Sequence, residues 1–480
     1  MTRKTSPGEE QPASAKRTAS KPVKRVKRVE QGAVPCWNRR IGNDTPIPGT
    51  KLDLREMFGS SGKSRKNSEA GNISQGIAVG DQDMPAIGVA FPSLCLEMFT
   101  GHSILQASSC YALGGPTGSF KSHFVLEIAN WIARAGGYIS LAENESKYNA
   151  DMARAVMGRE VGQRVWVREC KTFNEVEECL VYGVKKYNEI DTDQRPPHLQ
   201  IVDSIVGNST ESQQTKLKNE GSIERSFATN ALAAANFLPS YLPMLAQQPY
   251  FGIWVTHSKD ETEGTGKFAK TTTRLKGGDI WQYRCRLALV LRRVSAKPEW
   301  KNHNWSVRLK LQLLKDAAIR GFTLPFTLRC VTDIIHDEKA NDIFGERKIK
   351  FCWDEASLTL LFDPEKHGYP AHWKTVAKDI LGLGIKKVAG RNLFVAPKLG
   401  ITVRDEVRNA SVVMDVLYDS PTILDLLRAE FGIQKGIAIQ PGDDYLSLLK
   451  QAKKIAIQRA ALMQKPDEVT YIRKGEFTTS

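Results

Sequence analysis

The chain has no apolar run approaching the roughly 18 residues that a membrane-spanning helix needs, so no membrane partner is expected. Its basic N-terminus is followed by no apolar stretch of the kind that makes a secretory signal. Cysteine is sparse: eight residues, at 36, 95, 110, 170, 179, 285, 330 and 352, with no C-x-x-C pair. That spacing argues against a zinc cage or a disulfide framework and predicts a reducing cytosol. Acidic residues are also in short supply, 53 against 68 Lys and Arg, leaving a formal net charge of +15 and a pI near 9.3. Such an imbalance favours a polyanionic partner, nucleic acid foremost. The excess is uneven. Residues 1–30 hold nine Lys and Arg against three Glu, and residues 366–480 hold eighteen against twelve acids.

What is present organises the chain into three stretches. Residues 1–75 are rich in Lys, Arg, Ser, Pro and Gly and read as a disordered basic arm. Its run Lys21–Arg28 suits either a nucleic-acid tether or an address signal. Residues 76–365 alternate short apolar runs with amphipathic ones. Strands are predicted at 138–142, 164–168, 199–203, 250–256, 287–291 and 307–311, and helices at 121–135, 151–157, 174–186 and 225–245. This alternation predicts an α/β domain with a mostly parallel central sheet. Residues 366–480 predict a small, mainly helical C-terminal module. Ser420-Pro421 starts one helix, which ends near Gly432, and 445–463 forms another, with Lys450, Lys453, Lys454 and Arg459 on its wheel. That basic face fits DNA or plain solvent.

The chemistry-bearing stretch is Gly115-Pro116-Thr117-Gly118-Ser119-Phe120-Lys121-Ser122, between a predicted strand and a predicted helix. It meets the phosphate-loop (Walker A) pattern, with Phe120 where Gly is usual. Backbone N–H groups of such a loop point at phosphates, the Lys reaches the β- and γ-phosphates, and the Ser hydroxyl ligates Mg²⁺. ATP and Mg²⁺ are therefore the expected cofactors. Asp203, at the end of an apolar run, is placed to hold the Mg²⁺ hydration shell with Ser122. Glu143 follows the strand after the loop helix and can orient the attacking water. Glu145, two residues on, competes for that role. His257 follows another strand and can touch the γ-phosphate. Beyond it, 258–278 is polar and long for a plain connection, with Lys259, Lys267, Lys270, Arg274 and Lys276 for phosphates and Phe268 as an apolar wedge between bases.

In this order the pieces resemble the RecA-type recombinases, and among them the bacteriophage branch represented by the T-even phages. Three stretches carry the resemblance: the loop with Phe before its Lys, Ile201-Val-Asp-Ser204, and Thr271–Gly278 followed by Leu287–Arg293. It covers about residues 85–335. It implies a RecA-like P-loop core and a DNA-dependent ATPase that forms helical homo-oligomeric filaments on single-stranded DNA. Such filaments pair with double-stranded DNA and exchange strands in recombination, repair and recombination-dependent replication. ATP would lie between neighbouring subunits. By the resemblance Glu143 is the catalytic glutamate, 207–222 the first DNA loop, 258–278 the second, and Lys315 a cation offered to the γ-phosphate of the adjoining subunit. A single-strand-binding protein and a loading mediator are implied partners, in a host cytoplasm or phage replication compartment. Bacterial members have Gln where His257 stands. The usual Lys-x-Lys pair is broken, because Asp316 and Ala317 follow Lys315. A hexameric DNA helicase on the same core, and a DNA-coating mediator with weak ATPase, are the rival expectations.

Overall fold

The computed structural model describes residues 84–145, 148–162, 164–205, 227–246, 248–263, 270–277, 284–294, 299–301, 304–316, 332–337, 348–388, 391–402 and 410–463. The basic arm 1–75, the segment 207–222, Lys267 and Phe268 lie outside the described residues. Lys270 and Lys315 are described by their backbone.

The chain enters with β1 (Ile87–Ala90), α1 (Leu94–Thr100), β2 (Ile104–Gln106) and β3 (Ser109–Gly114). Then come α2 (Lys121–Arg134), β4 (Tyr138–Glu143), α3 (Ala150–Met157), α4 (Arg159–Gly162), β5 (Val165–Glu169), α5 (Phe173–Asn188) and β6 (His198–Asp203). Next are α6 (Phe227–Tyr241), β7 (Tyr250–Val255), β8 (Ser258–Glu263), β9 (Lys270–Leu275), β10 (Leu287–Arg293), β11 (Glu299–Lys301), β12 (Asn304–Asp316), β13 (Thr332–Asp337) and β14 (Lys348–Phe351). The C-terminal part holds α7 (Trp353–Phe362), α8 (His372–Leu381), β15 (Gly384–Val388), β16 (Arg391–Val395), α9 (Ala410–Tyr418), α10 (Pro421–Glu430), β17 (Ile437–Ala438) and α11 (Tyr445–Met463).

The central sheet has the order β14-β13-β12-β10-β3-β7-β6-β4-β5, with β11 added on β12. From β10 to β5 all neighbours are parallel, and from β10 to β14 all are antiparallel. The expected α/β class with a mostly parallel central sheet is therefore met. β4 and β7 are buried along their whole length because helices cover both faces, so they read as continuous apolar runs. Alternation sends Leu113, Leu141, Ile201 and Ile253 to the face packed with α2 and α3, and Ala112, Ala142, Val202 and Trp254 to the face packed with α5 and α6. After β3 the chain crosses β7 and β6 to reach β4, then returns to β6 by way of β5. Such a reversal leaves a crevice at the carboxyl ends of the strands, where open α/β sheets place their ligands.

Three expectations change. The polar stretch 258–278 is for most of its length an antiparallel hairpin, β8 with β9, in register from Ser258↔Leu275 to Glu263↔Lys270. Threonines and cross-strand charges hold it: Thr262 faces Thr271 at 3.2 Å, Thr273 donates to Asp260 at 2.8 Å, and Arg274 pairs with Glu261 at 3.3 Å. The strand expected at 307–311 extends over 304–316. The region after 366 keeps its helices but adds the hairpin β15–β16, and β17 joins β1 in parallel. Among the described residues no helix is long and apolar enough to cross a membrane. The six described cysteines are thiols rather than disulfides.

Candidate nucleotide site

The loop between β3 and α2 is shaped by its own residues. Gly118 and Phe120 take left-handed backbone, with φ of 74° and 65°. Gly115 has no room for a side chain, because a Cβ there would lie 2.3 Å from the Leu291 carbonyl oxygen. Lys121 opens α2 and is largely buried. Its ammonium donates to the carbonyls of Gly115 at 3.0 Å and Pro116 at 2.9 Å. Ser119 Oγ also donates to Pro116 O, at 2.8 Å. The ammonium is thus held inside the loop's curve by weak neutral acceptors, which phosphate oxygens would outbid as charge-assisted partners.

Ser122 follows, and its hydroxyl donates to Asp203 Oδ2 at 2.7 Å, across 81 positions of sequence. The sheet order makes this contact. Asp203 ends β6, and its register partner on β4 is Glu143, so the two acids stand side by side at the carboxyl edge. Burial, helped by the neighbouring Glu145 and Glu143 charges, raises the Asp203 pKa above the ordinary carboxylate value, while Ser122 and Lys121 pull it back. Glu143 is buried, and its Oε1 accepts the backbone N–H of Glu145 at 3.1 Å. Ser122, Glu143, Glu145 and Asp203 share one cleft, closed on its apolar side by Tyr148 and Met152.

These residues fit a magnesium nucleotide. The donors are hydroxyl and carboxylate oxygens, the ligand type that Mg²⁺ prefers. Among the described residues no group of three or more His, Cys, Asp or Glu is arranged as a metal cage. Mg²⁺ needs none, since it is commonly held by one or two carboxylates together with substrate phosphates and water.

His257 lies between the loop and the acids. It follows β7, the strand between β3 and β6, and its Nε2 is 3.7 Å from Glu145 Oε1. Thr256 N donates to Leu113 O and Ser258 N to Gly115 O, fastening this corner to the loop that starts at Gly115. The corner also roots the β8–β9 hairpin. Lys276 N donates to His257 O at 2.7 Å, Thr256 Oγ1 to Lys276 O at 2.8 Å, and Leu275 packs on Gly114.

The cations expected to meet DNA are less uniform than their number implied. Lys259 and Arg274 both lie within ion-pair distance of Glu261, at 3.5 and 3.3 Å. Asp260 is taken by a two-pronged contact from Arg292 on β10. Strand β8 is therefore acidic in balance, and the cationic side belongs to β9 and the segment before it. Lys315 is not brought to the Gly115–Phe120 loop of its own chain. It pairs with Ala288, toward the amino end of β10, whereas the loop rises beyond Gly114, which pairs with Val290.

Sequence reasoning gave no role to Asn144, Tyr148, Met152 and Arg292, and used Ser204 only as the residue that follows Asp203. Asn144 clamps the end of β6: its Oδ1 accepts from Ser204 N at 2.7 Å, its Nδ2 donates to Ser204 O, and its own N–H donates to Asp203 O at 3.2 Å. Its position between two acids after a strand was the available signal. No protein-family model matches the chain, and no curated protein matches it.

Proposed function

We propose that the chain is a DNA-dependent ATPase of the RecA type, which polymerises on single-stranded DNA and promotes its pairing with duplex DNA. The observation that carries this reading is the 2.7 Å contact of Ser122 with Asp203, beside Lys121 in its loop and Glu143 on the adjoining strand. Lys121 and Ser122, at the start of α2, stand by Asp203 and Glu143, at the ends of β6 and β4, and the reading puts the triphosphate among them. Lys121 would turn from the two loop carbonyls to the β- and γ-phosphates. Ser122 and Asp203 would hold Mg²⁺, which when bound neutralises charge developing on the transferred phosphoryl group. Glu143 would orient a water and accept its proton as that oxygen bonds to the γ-phosphorus and ADP leaves. Positioning and charge supply most of the rate in such sites.

The DNA side of the reading is supported by the +15 charge and by the joining of the β8–β9 hairpin to His257 and Gly115. An element rooted on the phosphate loop is placed to respond when a γ-phosphate arrives or leaves. Two measurements test the reading together: ATP hydrolysis with and without single-stranded DNA, and electron microscopy of the protein on that DNA with a slowly hydrolysed ATP analogue. Helical filaments with stimulated hydrolysis are expected. Closed rings would make it a helicase, and DNA coating without hydrolysis a mediator.

A further inference from the structure

Glu145 touches more of the working parts of the site than its place one residue beyond Asn144 would suggest. Its backbone N–H donates to Glu143 Oε1 at 3.1 Å, which fixes the rotamer of the acid proposed to handle water. Its own Oε1 accepts the Ser204 hydroxyl at 2.5 Å, at the end of β6 that carries Asp203. The same oxygen faces His257 Nε2 at 3.7 Å. His257 in turn is locked to the hairpin through Lys276, and the next residue, Ser258, donates to Gly115 of the phosphate loop. The hairpin's far side is tied to β10 by Arg292 on Asp260 and Thr273. One carboxylate thus stands where the hairpin root, the end of β6 and the acid Glu143 meet.

We infer that Glu145 is the positioning residue through which the state of the β8–β9 hairpin reaches Glu143. The inference rests on the ATPase reading above and adds to it a specific coupling group. His257 can be within reach of Glu145 or turned to a γ-phosphate, and each choice moves with the hairpin root to which its backbone is bonded. When His257 leaves, Glu145 loses that pull and keeps the Ser204 hydroxyl as a side-chain donor. Its backbone N–H moves with it, and so does the hydrogen bond that aims Glu143. Coupling of this kind needs an element with two arrangements that both sites bias, and the His257 contact supplies them.

The test uses the full chain and the variants Glu145→Gln, His257→Ala and the double variant. Glu145→Gln keeps the length and an oxygen for Ser204 but has no charge for His257. Nucleotide affinity is read by filter binding of ATP. Coupling is read by trypsin, since Lys259, Lys267, Lys270, Arg274 and Lys276 make the hairpin region a series of cleavage sites. In the wild type, a slowly hydrolysed ATP analogue should change the rate of hairpin cleavage by at least about threefold. In Glu145→Gln, with the analogue at a concentration that saturates the variant by its own measured affinity, that response should disappear. The double variant should be no worse than either single one, the mark of residues acting in one line of coupling. A Glu145→Gln chain that binds ATP and shows the wild-type response overturns the inference and leaves the ATPase reading standing. A variant that loses affinity and thermal stability along with the response also overturns it, because that is what a structural carboxylate would do. Wild-type protein that fails to bind ATP removes both.

Discussion

At Phe120 the backbone sits at φ 65°, a conformation that costs a non-glycine residue roughly 1 kcal/mol, and the ring lies 5.2 Å from His123. The loop holds its shape there despite the side chain, so Phe120→Gly should leave ATP affinity nearly unchanged. Lys121→Ala should not. Removing a charge-assisted hydrogen bond of roughly 1.5–3 kcal/mol predicts ATP binding weaker by on the order of 10- to 100-fold, measured by filter binding, with hydrolysis gone. Glu143→Gln keeps the shape and removes the proposed base. ATP should bind normally and hydrolysis should fall on the order of 10²-fold or more, leaving the protein trapped on DNA. Asp203 makes a pH prediction. Its carboxyl is raised by burial above its unfolded value, so in the absence of Mg²⁺ and nucleotide the folded state takes up a proton that the unfolded chain has already released. Stability of that state must therefore fall as pH rises from the ordinary Asp range through the raised value. Asp203→Asn removes the ionisation. In metal-free buffer it should melt higher than the wild type near neutral pH, with the gap closing as pH drops below the ordinary Asp range, while its hydrolysis is abolished. Equal melting at every pH would mean that the acid carries no such penalty.

At the scale of elements, the loop and its flanking strand and helix were legible because everything that specifies them lies within one continuous stretch, Ser109 to Arg134. The β8–β9 hairpin was not. Its strands read Ser-Lys-Asp-Glu-Thr-Glu and Lys-Thr-Thr-Thr-Arg-Leu, and of the described side chains in them only Leu275 is buried, so no apolar alternation announces a strand. Pairing across the hairpin, by Thr262 with Thr271 and Arg274 with Glu261, is what makes these residues extended. The same pairing alters which cations are available. Replacing Lys267, Lys270, Arg274 and Lys276 together with Ala should weaken single-stranded DNA binding. The slope of log K against log[salt] should become shallower by about 0.7 for each phosphate that is no longer neutralised. Arg274 already has Glu261, so its share should be small. ATP binding should persist in this variant, and an unchanged salt slope would take the hairpin out of the DNA site and move attention to the arm 1–75 or to α11.

Across the whole molecule, the C-terminal segment is tied to the very start of the described chain. Arg428 on α10 makes a two-pronged contact with Glu97 on α1, at 2.7 and 2.8 Å, across 331 positions of sequence. Around it Leu424, Leu427 and Ile433 share one apolar cluster with Leu94, Leu96 and Met98, and β17 pairs with β1. None of this could be read locally, because an Arg on an amphipathic helix looks like any solvated charge until its partner arrives from the far end of the sequence. The contact is nevertheless buried: the Glu97 side chain is 2% exposed and that of Arg428 17%. Removing one member of a buried pair leaves the other desolvated and poorly compensated, at a cost of roughly 3–5 kcal/mol. Arg428→Met should therefore lower stability by about 3 kcal/mol in chemical denaturation, since it takes both prongs from the buried Glu97 carboxylate. Glu97→Gln should cost less, because the guanidinium keeps Asp425 at 3.0 Å. The double variant should be less destabilised than the sum of the two, by about 1 kcal/mol or more, as residues in direct contact require. ATP affinity should be unchanged in all three, since neither residue touches the loop, Asp203 or Glu143. Additive effects, or a cost for Arg428→Met below about 1 kcal/mol, would show that the apolar cluster and the β1–β17 pairing hold the C-terminal segment without the ion pair.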